Sequence, residues 1–227
     1  MIKQYKTAYA RLRPKIKSPY TRIYLIRHCH PDYSTQKAVG DANMPLDKIG
    51  LKQRKYLNNK LLQIGVDKIY TSGMLRAQQT AEDFAKKANL EIEINSDLDE
   101  IDWEDWYKIK YFSMNKKTRI KRTKSYPKME KQLNKIQANS RKLLTDIYNK
   151  NKRKGIAVFC HGNLIKSMLT GILNTDVIGF LSLEIYQSSV SKLVVDKDGY
   201  IKINYINNIC HLPKRPDEDI FRVSLNQ

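Results

Sequence analysis

The sequence predicts an α/β protein, a three-layer α/β/α sandwich whose mostly parallel central sheet ends in a C-terminal hairpin. Three observations lead there. Ile23 to Arg27 and Ile156 to Cys160 are short apolar runs, the first ending at Arg27-His28 and the second followed by His161-Gly162. Such runs, bounded by polar residues, read as buried strands, and the segments of helical period between them as helices. Strands alternating with helices build a parallel sheet covered on both faces. Finally, Val190 to Val195 and Tyr200 to Ile206 flank Asp196-Lys197-Asp198-Gly199, and Asp-Gly suits a tight turn between antiparallel strands.

Residues 1–21 mix basic residues, Tyr and Pro without a sustained apolar period and read as a basic N-terminal extension. The domain is expected over residues 22–212, with a basic helical insertion at about 108–154 and a tail over 213–227. Pro31 lacks a backbone N–H and keeps His30 extended, so His30-Pro31-Asp32 opens a loop. Asp47 is a good N-cap for a helix with Ile49, Leu57, Leu61, Leu62 and Ile64 on its apolar face, ended by Gly65. Val66 to Thr71 reads as a strand, and Ser72 as the cap of a helix from about Met74 to Ala88. Glu91 to Asn95 alternates like a third strand. It leads into Asp97, Asp99, Glu100, Asp102, Glu104 and Asp105, interleaved with Trp103 and Trp106. Pro127 to Asn149 has a helical apolar side of Met129, Leu133, Ile136, Leu143, Leu144 and Ile147, and a last helix is expected from Asn163 to Leu173.

Composition narrows the class. At 227 residues the chain suits one well-cored domain, and no uninterrupted apolar run approaches 18 residues, so no membrane span is expected. Residues 1–22 lack the apolar core of a secretory signal, and three widely spaced cysteines make no disulfide framework. A cytoplasmic location is therefore expected. The net charge of +19 is segmental: residues 1–22 hold 7 Lys/Arg and no acids, and residues 108–154 hold 17 against Glu130 and Asp146. Such segments favour an anionic substrate, nucleic acid or an acidic membrane surface, or else form a solvated lysine-rich surface. The pairs His28-Cys29, Cys160-His161 and Cys210-His211 carry zinc-ligand chemistry, but their spacings match no compact zinc motif, and neither metal nor cofactor is expected.

In a sheet of this kind Arg27, His28, Arg76, Glu100 and His161 all fall at or just past strand carboxyl ends, where open α/β sheets bind ligands. Two guanidinium forks and two imidazoles make a pocket for a phosphate dianion. A histidine there can attack phosphorus, and a carboxylic acid can protonate the leaving oxygen.

These residues lie in fragments that resemble, in order, the histidine phosphatase superfamily with its phosphoglycerate mutase-like fold. The fragments are Leu25-Ile26-Arg27-His28, then Pro45 to Gly50 with Gln53, then Tyr70 to Glu82 around Arg76. Next come Leu98 to Asp102 with Asp105-Trp106, Phe159 to Gly162, and His211-Leu212. The resemblance implies a phosphoric monoester hydrolase of the histidine acid phosphatase type, independent of metal. His28 would form a phosphohistidine, and Arg27, Arg76 and His161, with Asn163 and Ser72, would bind the phosphoryl group. Glu100 would be the proton donor, with Glu104 as the competing acid. Phosphoglycerate mutase-type transfer is the alternative, disfavoured because the Asn-rich, Phe-Gly-Trp loop of the sugar-phosphate mutases has no counterpart. A weakly active regulatory module holding RNA or phosphoprotein on the basic segment is another. Cys29 stands where the family usually has Gly, and is expected to narrow the pocket or to add a redox-sensitive thiol. His30 is expected at the pocket rim, and His211 as a structural partner of the first strand.

Overall fold

A computed structural model describes residues 1–3, 17–101, 117 and 126–213 of the chain. The strands are β1 (Thr21–Arg27), β2 (Lys68–Thr71), β3 (Ile92–Ile94), β4 (Gly155–Cys160), β5 (Val190–Val195) and β6 (Ile201–Asn208). The helices are α1 (Gln36–Val39), α2 (Lys48–Leu61), α3 (Leu75–Ala88), α4 (Tyr126–Lys150), α5 (Gly162–Leu173) and α6 (Val177–Ser182). The strands form one sheet in the order β3-β2-β4-β1-β5-β6. The first four are parallel, β5 runs antiparallel to β1, and β6 closes the hairpin.

Alternation along β1 and β4 makes the three layers, because successive side chains of a strand point to opposite faces. Ile23, Leu25, Ile156 and Val158 pack with Leu144, Leu164, Ile165 and Met168 of α4 and α5. Tyr24, Ile26, Ala157 and Phe159 pack on the other face with Leu57, Leu61, Ala81 and Phe84 of α2 and α3. The hairpin turn runs through Gly199 at a φ of +88°, where a side chain would be strained. Asp196 Oδ1 accepts the N–H groups of Asp198 and Tyr200.

Two sequence expectations change, and one helix is new. In α2, Leu57 and Leu61 are fully buried as expected, but Ile49 and Leu62 are 50% and 47% exposed. Gly50, Gln53 and Asn58 take the inward positions instead, because the amino end of α2 packs against the loop after β1 rather than against the sheet. Gln53 Oε1 accepts the His30 N–H at 2.8 Å, and a Cβ on Gly50 would overlap the His30 carbonyl. Ser72 does not cap α3: the N-cap residue is Met74, whose N–H reaches the Ser72 hydroxyl at 3.2 Å. The helix α6 had no reading at all; six residues are too few for a periodic signal, although Asp176 Oδ1 caps it on the Gly179 N–H. The expectations for Asp102, Trp103, Glu104, Asp105, Trp106, residues 108–116 and 118–125, and most of the tail lie outside the described residues, as does most of the N-terminal extension. No helix among the described residues is long and apolar enough to cross a membrane.

Asp47 supports both its helix and the loop after β1: Oδ1 accepts the Gly50 N–H at 2.7 Å and Oδ2 lies 3.0 Å from His30 Nδ1. Asp47→Ala should therefore lower stability by about 1 kcal/mol, the usual cost of a lost N-cap, read as a shift in the urea midpoint at unchanged slope.

Candidate active site

Strand register assembles the site. Arg27 lies opposite Cys160 in the parallel β1–β4 pair, and the His28 N–H donates to the Cys160 carbonyl at 2.9 Å. The next residues, His28 and His161, thus leave neighbouring strands side by side, with ring centroids 5.0 Å apart. On the other side of β4, Thr71 pairs with Phe159, which brings Ser72 beside His161; Ser72 Oγ and His161 Nε2 are 2.7 Å apart.

Hydrogen bonds assign the imidazole protons. His28 Nδ1 lies 2.8 Å from the Cys29 carbonyl, which can only accept, so Nδ1 carries the proton and Nε2 presents a lone pair. Ser72 Oγ already accepts from Met74 N–H, so its own hydrogen is directed to His161 Nε2. His161 then carries its proton on Nδ1, a buried donor with no partner among the described residues. Burial holds both rings well below the ordinary histidine range, reinforced for His28 by His161, Arg27 and Arg76, and for His161 by Arg76 and Arg27.

The two guanidinium groups are anchored differently. Arg27 Nη1 donates to the Ile185 carbonyl at 2.6 Å, while its buried Nε has no partner among the described residues. Gly162, the first residue of α5, permits this approach: a Cβ there would sit 3.2 Å from Arg27 Nε. Arg76, 4% exposed on α3, donates from Nη1 to the Asp41 carbonyl at 2.6 Å and from Nη2 to Asp41 Oδ2 at 3.2 Å. Glu100 sits at the amino end of α5, where its carboxyl accepts the N–H groups of Ile101 at 3.0 Å, Leu164 at 3.3 Å and Asn163 at 3.4 Å. Burial raises its pKa against the pull of these N–H groups and of Arg27. Buried, unpaired donors beside a carboxyl that tends to keep its proton are the electrostatics of an anion site with an acid at its edge.

A cavity of about 870 Å³ opens onto Arg27, His28, Arg76, Glu100 and Asn163. Ser72 and His161 are fully buried. Its wall also holds Asp41, Lys166 and Glu184, which sequence reasoning did not select. Asp41 belongs to a loop with no periodic signal; the clue for Lys166 was a basic residue inside the apolar run of α5. Cys29 neither narrows the cavity nor offers a reactive thiol. Its side chain turns into the core beside Tyr24, Ile26 and Leu57, and burial pushes its pKa up to about 12. His30 turns away to Asp47, and His211 Nε2 meets Ser188 Oγ at 2.9 Å, while the Ser188 N–H reaches the Arg27 and His28 carbonyls. Among the described residues no group of three or more His, Cys, Asp or Glu side chains could hold a metal ion.

Comparison with known proteins gives a consistent picture. The sequence model of the histidine phosphatase superfamily (branch 1) matches residues 23–208. PhoE of Bacillus subtilis (strain 168), an uncharacterized phosphatase, is 27% identical over 160 residues, 69% of this chain and 79% of its own. Among solved structures, a phosphoserine phosphatase of Entamoeba histolytica superposes with a TM-score of 0.67 at 19% identity, covering 85% of this chain and 99% of that one. Bacillus stearothermophilus YhfR superposes at 0.66 with 20% identity, covering 84% and 98% of the two chains. A mycobacterial glucosyl-3-phosphoglycerate phosphatase gives 0.64 and 17%, covering 83% and 99%. These likenesses establish the fold.

Asp41 occupies the Arg76 guanidinium fork, whose donors suit an incoming anion. Asp41→Asn should tighten inorganic phosphate by about three- to tenfold, modest because the Asp41 side chain is half exposed. Titration calorimetry reads this directly; weaker binding would mean that the Asp41 charge orients Arg76 instead.

Proposed function

The chain belongs to the histidine phosphatase superfamily, and from that premise we propose that it hydrolyses phosphomonoesters through a phosphohistidine on His28. The observation that carries this reading is a buried imidazole with Nε2 unprotonated, beside two arginines at one sheet edge. The lone pair on His28 Nε2 attacks phosphorus in line with the ester oxygen. Arg27, Arg76 and the His161 Nδ1–H take up the charge on the non-bridging oxygens, so the proposed step needs no metal. Glu100, whose pKa burial raises, gives its proton to the leaving oxygen; as carboxylate it then takes one from the water that cleaves the phosphohistidine. Asn163, next to Gly162 at the amino end of α5, lines the cavity and would contact the substrate.

The Bacillus relative and two of the solved neighbours, from Entamoeba histolytica and a mycobacterium, are phosphatases by name, which supports hydrolysis over mutase transfer. The substrate we envisage is a phosphorylated small molecule or a phosphoprotein. The histidine acid phosphatase type is the one we propose, and two pKa shifts set the pH window in which it would work. His28 must be neutral to attack; since its pKa is depressed, activity is lost only as pH falls well below the usual histidine value near 6.5. Glu100 must be protonated to act as acid; since its pKa is raised, its contribution persists above the usual carboxylate range and is lost as pH rises through its folded value.

Two measurements check this reading. His28→Ala should lower kcat for an aryl phosphate by at least about a thousandfold with the fold intact, and full activity in the variant would contradict the mechanism. Glu100→Gln should remove the alkaline limb of the kcat profile, and slow an alkyl phosphate by about a hundredfold more than a nitrophenyl phosphate, whose leaving group needs no proton.

A further inference from the structure

The solvent face of α4 carries a ridge of lysines. Lys131, Lys135 and Lys142 are exposed and follow one another by four and seven residues, which sets them within about 40° on one side of the helix. Lys150 is exposed at its end, about 28 Å from Lys131. The acids of the helix do not balance this charge. Glu130 is turned aside, its Oε2 accepting the Val177 N–H at 3.0 Å, and Asp146 alone shares the exposed face. Lys131 and Lys135 are a like-charge pair one turn apart, which weakens a helix, and Lys142 precedes Asp146 by four residues, the less favourable order for such a pair. Among the described residues none of Lys131, Lys135 and Lys142 makes an ion pair. Cations elsewhere do: Arg54 reaches Glu82 and Asp83, and Lys68 reaches Glu93. A charge pattern that works against its own helix, on one face only, points to a partner.

The rest of the face identifies that partner. Leu133, Leu143, Leu144 and Ile147 are buried, and no large apolar side chain of α4 is exposed. A helix held at a lipid surface inserts an apolar face, and a protein interface centres on apolar or aromatic anchors and is poor in lysine. This face offers neither. It exposes no aromatic ring on which an unstacked base could lie, so its lysines meet phosphates rather than bases. Asn134 and Asn139, both exposed, flank the ridge. Their amides can donate to and accept from the 2′-hydroxyls that line the wide, shallow minor groove of an RNA duplex. We propose that this face of α4 binds the backbone of double-stranded RNA, lysines on phosphates and amides on 2′-hydroxyls, without reading sequence. None of these residues lines the cavity in front of His28, so the surface is separate from the proposed catalytic site.

The test is fluorescence anisotropy of the full-length chain with a labelled RNA duplex of about 20 base pairs, long enough to span the ridge. Lys131→Gln, Lys135→Gln and Lys142→Gln together should weaken binding at least about tenfold at physiological ionic strength. They should also flatten the plot of log affinity against log salt by about two to three, since each lost phosphate contact removes roughly 0.9 from the slope. Lys52→Gln, Lys55→Gln and Lys86→Gln, exposed on α2 and α3, remove the same charge elsewhere and should change affinity less than about twofold. Asn134→Ala with Asn139→Ala should abolish a preference of about threefold for the RNA duplex over DNA of the same sequence. Thermal unfolding of each variant shows that it is folded. Absence of RNA binding, equal losses in the two charge-matched variants, or DNA bound as tightly as RNA would overturn the proposal. Binding of phosphatidylserine vesicles that the ridge variant loses, without RNA binding, would make this face a membrane surface and overturn it equally.

Discussion

Parallel pairing of β1 with β4 sets Arg27 opposite Cys160, and the rest of the site follows from that register. A slip of one residue would turn Arg27 and the apolar residues before it to the opposite faces of the sheet. His28 would no longer stand beside His161. The register is held from both faces, since Ile23 and Leu25 pack under one helical layer while Tyr24 and Ile26 pack under the other. The second pairing, β2 with β4, adds Ser72, and through it the orientation of His161. The core thus fixes the strands, the strands fix the histidines, and hydrogen bonds to Cys29 and Ser72 fix which nitrogen of each ring carries the proton.

Burial then does the chemical tuning. Two imidazoles beside two guanidinium groups in a poorly hydrated place resist protonation, so the positive charge of the site resides on the arginines. The same loss of solvent raises the Glu100 pKa, even though three backbone N–H groups favour its ionised form. One physical cause therefore shifts the imidazole and the carboxyl in the directions that the proposed nucleophile and acid require. It also silences Cys29, whose thiol is buried in the α2–α3 layer. The residue that departs from the family pattern is accommodated by the core, with its N–H bonded to Thr80 Oγ1 at 3.0 Å.

Much of the frame was legible in the sequence because it rests on local patterns. Apolar runs ending in His28 and His161, the Asp47 cap and the Asp196–Gly199 turn each carry their signal within a few residues. What stayed hidden depends on packing between distant segments. Ile49 and Leu62 look like core positions by composition, yet Gly50 and Gln53 face inward because the loop after β1 passes there. Asp41 gives no local sign that it meets Arg76, 35 residues away. Ser72 reads as a helix cap, and its partner His161 is brought to it by a strand pairing across 89 residues. Lys166 was visible only as a polar interruption in an apolar helix, and its meaning depends on the cavity beside it.

The central claim is that His28 Nε2 takes the phosphoryl group. Rapid acid-free quenching of the wild-type chain with a phosphorus-labelled aryl phosphate, followed by peptide mapping, tests it most directly. The account predicts an acid-labile, alkali-stable phosphoryl group on Nε2 of His28, formed and lost at rates that match turnover. Turnover with the label on another residue, or with none on the protein under conditions where breakdown limits the rate, would contradict it.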